Sequence, residues 1–141
     1  MIVPDLNLLL YAYNDSSPNY RAARHWWNNL LNGSEQVGLP WSVTTGFIRL
    51  TTGTQVMREP APPELALKTV EEWFRLPHLS QLNPGPAHLM FLRRALAAAG
   101  VGGNIVNDAH VAALAMEYQA EVHSNDADFS RFPGLRWRNP L

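Results

Sequence analysis

The sequence has no cysteine among its 141 residues, which excludes disulfide frameworks, zinc fingers and cysteine nucleophiles. It has no apolar run long enough to cross a bilayer, because the leucine-rich stretch near its start is interrupted by polar residues. No basic segment precedes an apolar stretch after Met1, so no secretory leader is visible. From these absences we expect a cytoplasmic protein with no membrane partner.

An excess of charge of one sign is also lacking. Eleven Lys and Arg residues stand against twelve Asp and Glu residues, and the net charge is −1. No overall positive field therefore attracts nucleic acid, and any such contact must come from a local patch. The apolar fraction of 46% suffices for a packed core, so we expect a single domain over residues 1–141.

Short apolar segments alternate with longer segments of helical periodicity along the chain. This pattern predicts an α/β protein with a short, mainly parallel sheet in an α/β/α sandwich. Strands are predicted over residues 2–3, 37–39, 79–82, 121–123 and 135–137. Helices are predicted over residues 6–13, from Pro18 to about 31, and over 42–52, 64–75, 86–99 and 105–119.

Four of the five aspartates fall beside predicted strand ends. Asp5 follows the first strand, and Asp126 and Asp128 follow the strand over 121–123. Asp108 lies in the first turn of the helix that leads to that strand. Right-handed crossovers between parallel strands bring such positions to one edge of the sheet. Carboxylates are the ligands that Mg²⁺ and Mn²⁺ prefer, and such an ion activates water and neutralises phosphate charge.

A purely structural role is an alternative for each aspartate. Asp5 is placed to cap the helix that follows it, and Asp108 to interact favourably with a helix N-terminus. Asp126 or Asp128 is placed to cap a final turn. Capping alone does not require four aspartates to meet at one edge of a sheet, but the spacing by itself leaves both interpretations open.

Four blocks of the sequence resemble the PIN domains, specifically the VapC toxins of bacterial toxin–antitoxin pairs. They occur in the family's order and span nearly the whole chain. The blocks are Asp5-Leu6-Asn7 with Leu8-Leu9-Leu10-Tyr11-Ala12; Pro40-Trp41 with Phe47-Ile48-Arg49-Leu50-Thr51-Thr52; Gly103-Asn104 with Asp108-Ala109-His110-Val111-Ala112-Ala113-Leu114-Ala115; and Ser124-Asn125-Asp126-Ala127-Asp128-Phe129.

The resemblance implies a Mg²⁺- or Mn²⁺-dependent endoribonuclease that forms a homodimer and is inhibited by a cognate VapB-type antitoxin. It also implies an α/β/α fold and a site built on an acidic cluster. Carried over position by position, it makes Asp5, Asp108 and Asp126 the metal ligands, Asp128 a further catalytic carboxylate, and Asn7, Asn104 and Ser124 supporting polar groups.

The sequence departs from the family's pattern at one acidic position. The usual glutamate of the second block falls near Gly46, and no acid occurs between Glu35 and Glu59. A less charged site predicts weaker or more Mn²⁺-dependent metal binding. The departure also leaves open a catalytically impaired module that binds RNA or an antitoxin without cleavage.

Three arginines follow the last acidic block, and we expect them to hold RNA phosphates: Arg131, Arg136 and Arg138. Arg49 follows an apolar helix face and is interpreted as a buried ion-pair partner. His110 is expected to pack or cap locally.

The resemblance implies that the first two helices offer an antitoxin groove, formed by Trp26, Trp27 and Leu30. A phosphoryl-transfer domain of receiver or haloacid-dehalogenase type would also place an aspartate after the first strand. It fits less well, because Asp5-Leu6-Asn7 lacks a second acid and Lys68 lies within a predicted helix.

Overall fold

Five parallel strands form one sheet in the computed structural model, which describes residues 1–141. The sheet order is β3-β2-β1-β4-β5, and every adjacent pair is parallel. The strands are β1 (Ile2–Pro4), β2 (Val37–Pro40), β3 (Leu79–Leu82), β4 (Glu121–His123) and β5 (Arg136–Arg138). The helices are α1 (Leu6–Tyr13), α2 (Tyr20–Asn32), α3 (Trp41–Thr51), α4 (Pro63–Phe74), α5 (His88–Ala99) and α6 (Ile105–Glu117), and a 3₁₀ helix covers Ala127–Arg131.

The central strand β1 is buried over its whole length and pairs with β2 and β4. A strand covered on both faces is expected to be continuously apolar, and Ile2 and Val3 satisfy this. The register aligns Pro4 with His123, and the Asp5 amide donates a hydrogen bond to the His123 carbonyl at 2.9 Å. The residues that leave β1 and β4 at their carboxyl ends therefore lie side by side.

The predicted α/β architecture and the order of its elements are confirmed. The boundaries move by one to a few residues at several ends, as expected where helices begin in turns. Helix α2 begins at Tyr20 and not at Pro18, and α5 begins at His88 and not at Pro86. Before α5, the His88 amide donates a hydrogen bond to the Gly85 carbonyl at 3.1 Å, so the chain forms a turn before it becomes helical.

An aromatic cluster fills part of the core between α1, α2, α3 and α4. The Trp73 ring lies 5.2 Å from the Trp27 ring and 4.7 Å from the Phe47 ring, measured between centroids. Tyr13 approaches Phe47 edge-on at 5.1 Å. These are the separations and tilts that aromatic pairs prefer, and each buried ring removes a large apolar area from water.

The predicted antitoxin groove on the first two helices is wrong. Trp26, Trp27 and Leu30 are all buried, with exposed fractions of 8%, 0% and 9%. The indole N–H of Trp26 donates to Nδ1 of His123 at 3.1 Å, which ties α2 to β4. These side chains stabilise the monomer and offer no surface to a partner.

None of the six helices combines the length and apolar character that a membrane span requires.

Candidate active site

Asp5 lies between the end of β1 and the start of α1 and has both a structural and a site role. One carboxylate oxygen accepts a hydrogen bond from the Leu6 amide at 2.7 Å, which caps α1. The other accepts from the Ser124 hydroxyl at 2.6 Å. Burial raises the pKa of Asp5, although both hydrogen bonds oppose the shift, and the Asp126 charge adds to it. The capping role expected of Asp5 is therefore confirmed, and its carboxylate also lies close enough to Asp108 and Asp126 for their charges to interact.

Ser124 connects the groups at this edge of the sheet. It follows β4 directly and is fully buried. Its hydroxyl donates to Asp5 and accepts from the Asp126 amide at 2.9 Å, and the Asn7 side-chain amide donates to it at 3.4 Å. The Asn7 carbonyl oxygen Oδ1 is buried and has no hydrogen-bond partner. A buried acceptor without a donor is costly, so this oxygen is available to a water or a cation.

Asp108, Asp126 and Asp128 form a compact group of carboxylates. One oxygen from each lies within 4.8 Å of the other two. Asp126 caps the 3₁₀ helix by accepting from the Asp128 amide at 2.9 Å, and this turn folds the two acids toward α6. Burial first, and then the charges of Asp5, Asp126 and Asp128, raises the pKa of Asp108 to about 6. Mutual repulsion of this kind favours a bound cation.

The donor set suits a hard divalent cation. Every candidate ligand is an oxygen, and the carboxylates are close enough to repel one another until a cation offsets their charge. The trio differs from the set expected from the sequence, which contained Asp5 and not Asp128. In the structure Asp128 completes the trio, and Asp5 stands beside it, turned toward Ser124.

The other predicted site residues lie in different surroundings. Asn104 is exposed at the start of α6 and makes no side-chain capping bond. Arg131 donates to the Ala99 carbonyl at 2.9 Å and lies 3.9 Å from Asp128. Arg138 pairs with Glu121 at 3.3 Å. Arg136 begins β5, at the amino edge of the sheet, where it donates to the Gln119 carbonyl. Of the three arginines, only Arg131 approaches the acidic trio.

A cleft of about 480 Å³ opens beside Asp108, between α3 and α6. The cleft was not predicted from the sequence, although polar residues recur on one face of α3 at helical spacing. The interpretation of Arg49 as a buried ion-pair partner is wrong, since Arg49 is exposed and has no acidic group within 4.0 Å. The cleft is lined by Leu6, Ser42, Val43, Thr45, Gly46, Arg49, Asn107, Asp108 and Val111.

His110 has the local packing role expected of it. Its Nδ1 lies 2.9 Å from Nε2 of His88, whose Nδ1 lies 2.7 Å from Oε1 of Glu117. The other Glu117 oxygen accepts from the Gly85 amide at 2.7 Å. Burial, followed by the neighbouring His88, lowers the pKa of His110. This chain of hydrogen bonds ties α5 to α6.

We expect the Gly46→Glu variant to bind Mg²⁺ about tenfold more tightly, because one more carboxylate in the cleft strengthens the attraction for a cation by about 1.4 kcal/mol. An added Cβ would lie 2.6 Å from Cδ2 of Leu6, so the Leu6 side chain must rotate to admit it. Calorimetric titration with Mg²⁺ checks the prediction, with Gly46→Gln as the uncharged control. Equal Mg²⁺ affinity in Gly46→Glu and wild type would contradict it.

The chain is similar in sequence to a known domain family and to named ribonucleases. A family model described as "PIN domain" matches residues 2–135. The chain is 40% identical over 141 residues to Ribonuclease VapC33 of Mycobacterium tuberculosis, covering 100% of this chain and 99% of the relative. It is 40% identical over 140 residues to Ribonuclease VapC37 of the same organism, covering 99% and 97%.

Solved structures share the fold at lower sequence identity. VapBC-1 from nontypeable Haemophilus influenzae superposes with a TM-score of 0.69 at 20% identity, over 99% of this chain and 98% of that one. VapBC2 from Rickettsia felis, bound to a DNA fragment from its promoter, gives a TM-score of 0.67 at 19% identity over the same shares. These likenesses support the architecture described above.

Proposed function

Because the chain belongs to the PIN domain family, we propose that it is a metal-dependent endoribonuclease, the toxin of a VapBC-type toxin–antitoxin pair, that hydrolyses RNA phosphodiester bonds. The observation that carries the proposal is the meeting of Asp5, Asp108, Asp126 and Asp128 at one edge of the sheet. Relatives at 40% identity over the full chain are named ribonucleases. Helix capping by Asp5 and Asp126 does not by itself require Asp108 and Asp128 to lie beside them.

We propose Mg²⁺ or Mn²⁺ as the cofactor, held by Asp108, Asp126 and Asp128 with Asp5 alongside. When bound, such an ion supplies Lewis-acid stabilisation of phosphate charge and a more acidic water. The chain's own groups orient the ligands. The Ser124 hydroxyl donates a hydrogen bond to one carboxylate oxygen of Asp5 and accepts one from the Asp126 amide. The free Oδ1 of Asn7 is placed to accept a hydrogen bond from a water at the site.

The alternative of a module that binds RNA without cutting it is not supported. It rested on the missing acid near Gly46, whereas relatives that match the whole chain are named ribonucleases. The four aspartates that we propose for the reaction lie together at the site.

A VapB-type antitoxin is the partner that this proposal implies, since the structural neighbours named above are VapBC proteins. A cytoplasmic location belongs to the same proposal, because cellular RNA is the substrate. We also propose a homodimer. Light scattering checks this by a molar mass near twice 15.8 kDa, and the mass of a monomer would contradict it.

The test of the proposed function is cleavage of total cellular RNA by antitoxin-free protein in Mg²⁺ or Mn²⁺, with new 5′ ends mapped by sequencing. We expect discrete cuts that disappear in EDTA and in the Asp5→Ala variant. Circular dichroism controls for folding of that variant, because Asp5 also caps α1. Folded wild-type protein that makes no cuts in either metal would contradict the proposal.

A further inference from the structure

We propose that Arg49 is the residue that holds an RNA phosphate beside the acidic site, and that the cleft between α3 and α6 is where this phosphate lies. The inference rests on the proposed ribonuclease function and adds a substrate-positioning residue to it. It differs from the sequence-based expectation, which gave this role to the arginines near the C-terminus.

Arg49 and Asp108 line the same cleft from opposite sides. Ser42, Thr45 and Arg49 follow one another at spacings of three and four residues on α3, so they share one helix face. Asn107 and Asp108 line the opposite wall from α6. The long arginine side chain therefore borders the same space as one of the carboxylates of the acidic trio.

Arg49 has no competing partner in the protein. No carboxylate lies within 4.0 Å of it, and its guanidinium donates no hydrogen bond to another side chain or to the backbone. A guanidinium presents a planar fork of N–H donors that matches two phosphate oxygens. An unpaired fork of this kind is ready to bind an anion without breaking an existing contact.

The C-terminal arginines are already engaged. Arg136 donates to the Gln119 carbonyl at the amino edge of the sheet, and Arg138 pairs with Glu121. Arg131 donates to the Ala99 carbonyl and approaches Asp128. Each already uses part of its donor set or of its charge within the protein, whereas Arg49 uses none of either. Arg49 is also the only basic residue among those that line the cleft beside Asp108.

Gly46 lines this cleft without contributing a charged group. It lies one turn before Arg49, and the Leu6 side chain packs against it where a Cβ would otherwise be. A carboxylate at this position would stand within reach of the Arg49 guanidinium and compete with a phosphate for it. The absence of an acid on α3 therefore leaves the charge of Arg49 free for the substrate.

Binding of RNA without metal tests the proposal independently of cleavage. The probe is a fluorescein-labelled single-stranded oligouridine of about twelve nucleotides, titrated in EDTA at several salt concentrations and followed by anisotropy. We expect Arg49→Gln to weaken binding about tenfold and to reduce the slope of log affinity against log salt by about 0.7, the value for one lost phosphate contact. Arg49→Lys should keep the salt slope but lose part of the affinity.

Arg75→Gln is the matched control. Arg75 is exposed and lies just before β3, at the amino edge of the sheet and away from the cleft. It should match the wild type in affinity and slope. Equal binding by Arg49→Gln and wild type would overturn the proposal, as would an equal loss in Arg75→Gln, which would show that only overall charge matters.

Cleavage kinetics separate this proposal from the proposed function. In Mn²⁺, Arg49→Gln should raise KM or lower kcat/KM about tenfold without raising the Mn²⁺ concentration needed for half-maximal activity. If the wild type cleaves RNA and Arg49→Gln cleaves it with the same kinetics, the proposed role of Arg49 is overturned and the nuclease function is not. Wild-type protein that binds RNA through Arg49 but never cuts would overturn the nuclease function and leave the phosphate site standing.

Discussion

Replacing Asp108 with asparagine is expected to stabilise the metal-free protein while greatly slowing RNA cleavage. Burial and three neighbouring aspartates raise the pKa of Asp108 from 3.8 to about 6. Between these two values the native state binds more protons at Asp108 than the unfolded state does, so stability falls as the pH rises through this window. Above pH 6 the ionised Asp108 carboxylate destabilises the folded protein by the full amount that its raised pKa implies. Asparagine has no charge and removes this destabilisation.

The expected gain is about 1–2 kcal/mol, reduced for solvent screening because Asp108 is partly exposed, which corresponds to about 3–6 °C in Tm. Differential scanning fluorimetry in EDTA at pH 7.5 and at pH 5 measures it, and the gain should shrink at pH 5, where the wild-type carboxyl is largely protonated. Adding Mn²⁺ should reverse the order by stabilising only the wild type. A lower Tm for Asp108→Asn in EDTA would contradict this account of the site.

The same substitution should lower the rate of RNA cleavage by about a thousandfold or more, because a bound metal contributes several kcal/mol of transition-state stabilisation. Asp15→Asn is the matched control. Asp15 is the one aspartate that is exposed and outside the site, so both its Tm and its cleavage rate should stay near those of the wild type.

Replacing Trp27 with alanine is expected to lower the free energy of unfolding by about 3–5 kcal/mol, the usual cost of emptying a buried aromatic site. Trp27 is 0% exposed, and its ring packs edge-on against Trp73 at 5.2 Å. Chemical denaturation measures the loss. Any failure of this variant to copurify with an antitoxin would therefore reflect lost folding and not a lost contact.

Trp41→Ala is the control for the loss of an indole from the surface. Trp41 is 53% exposed, and its N–H donates to the Asn83 side chain at 3.0 Å. Its replacement should cost about 1 kcal/mol or less. A Trp27→Ala variant as stable as Trp41→Ala would contradict the position of Trp27 in the core.

The sequence predicted the fold well because parallel α/β structure depends on local patterns. Short apolar strands such as Ile2–Pro4 and helices of clear periodicity fix the order of the elements. Right-handed crossovers then place Asp5 and Asp126 at the same edge of the sheet without knowledge of any side-chain contact. The general position of the acidic cluster was therefore predictable.

Details that depend on contacts between distant residues were not predictable. Asp128 joins the trio because a 3₁₀ helix capped by Asp126 turns it back toward α6. Trp26 is buried against β4, where its N–H donates to His123, 97 positions away in the chain. The exposure of Arg49 depends on the cleft that opens between α3 and α6, and helical spacing alone indicates only which face it shares.

Crystals of the protein soaked in Mn²⁺ and measured at the manganese absorption edge would show whether a metal binds to the aspartates of this site. We expect an anomalous peak within bonding distance of carboxylate oxygens of Asp108, Asp126 and Asp128, with Asp5 next to it. That position also decides whether Asp5 or Asp128 is the closer ligand. No peak at this edge of the sheet, or a peak only at distant surface acids, would contradict the metal-dependent site.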